Sequence, residues 1–70
     1  MNSPDTLQDL KDSRDIWAAK AESWRVTGET WKREGKPDHM VQMAHDEFAR
    51  RKRKASELNR QIQAMEAGHE

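Results

Sequence analysis

No cysteine occurs in this chain, so no disulfide can staple it and no thiolate is present to bind a metal. Tyrosine is absent too, and the aromatics are three tryptophans and one phenylalanine. With three glycines and two prolines, there are few places where a helix must break. No apolar run approaches membrane-spanning length, and the opening Met-Asn-Ser-Pro-Asp has neither the basic nor the apolar region of a secretory signal. A soluble, cytoplasmic protein is the expectation. Neither charge is in excess: thirteen basic and thirteen acidic residues cancel, so any electrostatic role must be local.

Seventy residues make one domain, and a chain this short buries a modest fraction of its surface when it folds alone. Small domains offset this with disulfides, metals, oligomerisation or unusually good helix packing. Without cysteines or a metal-spaced cluster of His and Asp, packing and self-association remain.

The apolar residues fall on two heptad ladders. The first has Leu7, Arg14, Ala21 and Gly28 on one rung series and Leu10, Trp17, Trp24 and Trp31 on the other. The second has Val41, Phe48, Ala55 and Ile62 interleaved with Ala44, Arg51, Leu58 and Met65. Folding the chain back at Gly35 to Pro37 pairs rungs whose numbers sum to 72, such as Gly28 with Ala44, Trp24 with Phe48 and Leu10 with Ile62. This spacing predicts an all-α, antiparallel, coiled-coil-like two-helix hairpin over residues 1–70, with helices at about 4–34 and 38–66 and a turn at 35–37.

The ends agree. Ser3 before Pro4 is a helix start, with Asp5 and Asp9 at the positive end of the helix dipole. Lys32 and Arg33 suit the last turn, Gly35 can take the left-handed conformation that closes it, and Pro37 keeps Lys36 extended. Asp38 reads as the cap or an early acid of the second helix, and 67–70 as a frayed end. One-turn spacing predicts the pairs Glu29–Arg33, Asp46–Arg50, Glu47–Arg51 and Arg53–Glu57, each contributing about 0.2 to 0.5 kcal/mol.

Large opposite small along the seam lets the two backbones approach. Yet three indoles, each carrying on the order of 200 Å² of surface, exceed what a two-helix seam covers. The plainer reading leaves their edges in water. A second apolar set, Ile16, Ala19 and Val26 with Met40, Met43 and Ala49, is candidate docking surface. Together with Trp17, Trp24 and Trp31, the residues Ile16, Val26, Met40 and Met43 form the candidate protein-binding set. Arg14 and Arg51 occupy core rungs. Their stems are expected to cover apolar neighbours while the heads reach acids, water or an indole; the sharper alternative is that they fix register or oligomer state.

Arg50, Arg51, Lys52, Arg53 and Lys54 are the one dense charge cluster and the candidate nucleic-acid contact. Consecutive residues point around a helix rather than along it, Arg51 lies on the seam, acids stand near, and no aromatic is interleaved for base stacking. His39 beside Met40 and Met43 lacks the thiolate a soft-metal site would use, and His45 reads as a surface residue. No phosphate loop or nucleophile elbow occurs and no paired carboxylates fall in a predicted cleft, so neither catalysis nor a cofactor is expected.

The resulting expectation is a small non-catalytic regulator or inhibitor that dimerises into a four-helix bundle and binds a protein target. An RNA- or DNA-binding hairpin and a structural coiled-coil subunit are the alternatives. The architecture resembles that of the plasmid regulator Rop and other small phage or plasmid hairpins, a likeness of fold without a shared motif.

Overall fold

A computed structural model describes residues 4–68, with side chains described from residue 6 onward. Two helices, α1 (Pro4–Arg33) and α2 (Asp38–Ala67), pack against each other as a hairpin 51 Å long and 15 Å across. The Ser3 cap, the Asp5 side chain, His69 and Glu70 lie outside what is described.

Both helices run thirty residues because almost nothing interrupts them. Gly28 sits inside α1 without ending it, whereas Gly35 takes a φ of 77° that β-carbon-bearing residues avoid. Around Gly35 the Lys36 N–H donates to the Trp31 carbonyl (2.9 Å) and the Gly35 N–H to the Lys32 carbonyl (3.2 Å). These are the paired bonds of a Schellman ending, and they satisfy carbonyls left free at the end of α1. Pro37 then stands at the cap position of α2 with an extended backbone and contributes no side-chain cap. Its carbonyl accepts from the Met40 and Val41 N–H groups at 3.0 and 3.3 Å. Asp38 is therefore the acidic first residue of the helix rather than its cap, placed where the dipole favours a negative charge.

At the far end α2 continues through Ala67, one residue past the expected boundary, and the Gly68 N–H donates to the Ala64 carbonyl at 3.0 Å. α1 ends one residue earlier than expected, at Arg33, because Glu34 enters the closing turn.

The seam follows the ladders. Ala21, Gly28, Ala44, Leu58 and Ile62 are buried, and the other rungs are half-buried except Met65, which is 37% exposed near the open end. The Gly28–Ala44 layer sets the approach of the helices, since a β-carbon on Gly28 would come within 3.2 Å of the Ala44 Cβ. No large side chain is fully buried among the described residues.

The outer ion pairs are rearranged. Glu47–Arg51 forms as the spacing predicts. Glu29 turns back to Arg25 (2.8 Å) instead of forward to Arg33, because Arg25 already holds Glu22 and its guanidinium can bridge both acids. Arg50 approaches Glu47 at 3.8 Å rather than Asp46, whose carboxylate accepts from Gln42 at 3.0 Å. No ion pair joins Arg53 to Glu57 among the described residues.

Candidate functional site

The heptad divides the hairpin into two flanks. Residues three after each indole (Lys20, Thr27, Glu34) lie beside the Trp17, Trp24 and Trp31 rungs, while residues four after the other rungs (Lys11, Ala18, Arg25, Lys32) lie on the opposite side. Contacts follow this division. On the indole flank the Lys20 ammonium stands 4.9 Å over the Trp17 ring and the Arg51 guanidinium 6.0 Å over Trp24. On the other flank Lys11 pairs with Glu66 at 3.2 Å and the Lys52 ammonium lies 5.5 Å over Phe48.

All three indoles are half-buried. Trp24 and Trp31 meet edge to face, ring centroids 6.4 Å apart and planes at 76°, so they shield one another along the seam. Of the second apolar set, Ile16 is 54% exposed, Val26 46% and Met43 44%, whereas Met40 is half-buried. Ile16 and Val26 share the side of α1 turned away from α2, ten residues and about 15 Å apart. Met40 and Met43 stand one turn apart at the start of α2, so the set is spread over two helices rather than gathered on one.

The seam arginines behave as their stems suggest. Arg51 is held by Glu47 and stacks toward Trp24, which leaves its Nε–H buried without an acceptor among the described residues. Arg14 binds Asp15 at 3.1 Å and donates to Asn59 of α2 at 3.2 Å, fastening the two helices nearer the open end than the turn.

The five consecutive cations do not form one surface. Arg51 enters the seam, Arg50 leans toward the Glu47 that also holds Arg51, and Lys52 covers Phe48. Arg53 and Lys54 are exposed on other faces of α2. His39 and His45 are exposed, and no three His, Asp or Glu gather to hold a metal among the described residues.

An open groove of about 410 Å³ lies on the flank away from the indoles, and linear reading did not find it. Its floor is Ala18 and Ala55; Arg14, Lys52 and Arg60 supply charge; Ser56, Asn59 and Gln63 supply neutral polar groups. No carboxylate lines it among the described residues. A second hollow, beside the turn, mixes Lys32 and Lys36 with Asp38.

Elsewhere the clearest electrostatic feature lies on the exposed surface. Arg25 hydrogen-bonds Glu22 and holds its carboxyl below the usual carboxylate range. The same bond, with the nearby charges of Glu22 and Glu29, raises Arg25 above the ordinary arginine value.

No helix among the described residues is long and apolar enough to cross a membrane. Compared with known proteins, the chain matches no protein-family model, no curated protein and no solved structure.

Proposed function

We propose that the chain is a small non-catalytic regulatory or inhibitory protein that acts by binding another protein, as a hairpin dimerised into a four-helix bundle. One observation carries this reading: the fully covered seam consists of Ala21, Gly28, Ala44, Leu58 and Ile62, while Trp17, Trp24 and Trp31 keep part of their surface uncovered on one flank. Small scaffolds without disulfides or metals need more apolar burial than such a seam supplies. A symmetric partner laid across the indole flank would provide it, since a two-fold interface matches each patch with itself. Ile16, Val26 and Met43 then remain outside as the apolar contacts for a target.

A tagged chain used for affinity capture in its native host tests the functional class. The expected result is recovery of one protein that survives nuclease treatment and falls when Val26 or Met43 is replaced by Glu. Recovery that nuclease abolishes, and that disappears when Arg50, Lys52, Arg53 and Lys54 become Gln, would favour nucleic-acid binding instead.

A further inference from the structure

The groove opposite the indoles has a chemistry that the dimer reading does not use. Its alanine floor is shallow enough for another backbone to approach closely, as small residues permit at helix interfaces. Arg14 is already engaged by Asp15 and Asn59 and serves as part of the wall. Lys52 and Arg60 are exposed, and no ion pair engages either among the described residues. They stand eight residues apart on α2, about 12 Å along the axis, or slightly more than two helical turns. Ser56, Asn59 and Gln63 lie on the same wall and add donors without charge.

We propose that this groove binds an acidic amphipathic helix of a protein partner, its small apolar residues resting on Ala18 and Ala55 and two carboxylates spaced two turns apart meeting Lys52 and Arg60. Charge complementarity selects this occupant: the lining is cationic and polar and, among the described residues, holds no carboxylate. Nucleic acid fits less well, because the lining offers no aromatic on which a base could stack. The proposal rests on the protein-binding reading above and assigns that partner its chemistry.

The test uses the full chain and a fluorescein-labelled amphipathic peptide with a leucine and alanine seam and glutamates two turns apart, followed by fluorescence anisotropy. A matched peptide carrying Gln for Glu and a labelled single-stranded RNA are run beside it. The Glu peptide should bind, and Lys52→Gln with Arg60→Gln should weaken it by at least about tenfold, the change expected when paired charges are lost from a contact. Arg33→Gln with Lys54→Gln removes the same charge outside the groove and should change affinity by less than about twofold. Ser56→Glu, which places an acid in the groove, is the second variant and should also abolish binding; circular dichroism checks that each variant remains helical. Equal binding of the Gln peptide, an equal loss in the control variant, tighter binding of the RNA, or no binding of the Glu peptide would each overturn the proposal. Sedimentation of the same samples reads the dimer separately, so loss of the groove with the dimer retained refutes only this inference.

Discussion

Gly28 and Ala44 meet so closely that a β-carbon added to Gly28 would stand 3.2 Å from the Ala44 Cβ. Both atoms would be fixed to helical backbone, so relief requires the helices themselves to separate. Gly28→Ala should therefore change stability by less than about 1 kcal/mol, the gain in helix propensity offsetting the tighter contact. Gly28→Leu should lower it by about 1 to 3 kcal/mol through overpacking. Chemical denaturation measures both. A stabilised Leu variant would mean that this layer is absent. Cysteines at Gly28 and Ala44 should also cross-link within one chain far faster than cysteines at Gly28 and Met65, because the facing β-carbons lie close to disulfide range.

Arg51 leaves its Nε–H buried and without an acceptor among the described residues. A buried unsatisfied donor costs about 1 to 3 kcal/mol, and half-buried Glu47 is held by Arg51 and, at 3.8 Å, approached by exposed Arg50. Replacing both, as Glu47→Gln with Arg51→Leu, should leave stability unchanged or raise it by about 1 to 2 kcal/mol in thermal or denaturant unfolding. Arg51→Leu alone should be less favourable, since it leaves Glu47 with only the longer contact to exposed Arg50. If the double variant is destabilised, or changes oligomeric mass, the arginine sets register or assembly rather than covering its neighbours.

How far the fold was legible follows from what each signal depends on. The rungs were readable because heptad spacing is a property of one helix, and the sum rule needed only the turn at Gly35 to Pro37. Of the ion pairs only Glu47–Arg51 was readable, because Arg25 has two acids within one turn and Asp46 is taken by Gln42. Asp38 offered two roles until the Pro37 backbone decided between them. The basic run was visible as a string of letters, yet its Lys52 is joined at the groove by Arg14 from the other helix and by Arg60, which no reading along the chain brings together.

The Glu22–Arg25 pair gives a pH signature of the outer surface. Its folded carboxyl lies below the unfolded value, so the small contribution of the pair is present above the usual glutamate range and is lost as pH falls through the lowered folded value. A carboxyl-carbon NMR titration should place the Glu22 midpoint below those of ordinary exposed glutamates. Arg25→Gln should return it to their range, with little change in global stability because the pair is exposed. An unmoved midpoint in that variant would assign the shift to another cause.

In the proposed dimer a second copy completes the cover of the half-buried indoles. Light scattering or sedimentation equilibrium at micromolar concentration tests it most directly. About twice the mass of one chain is expected, with dissociation on dilution accompanied by a red shift of tryptophan emission as the indole flank meets water. A folded species with the mass of a single chain at those concentrations, and emission independent of dilution, would contradict it.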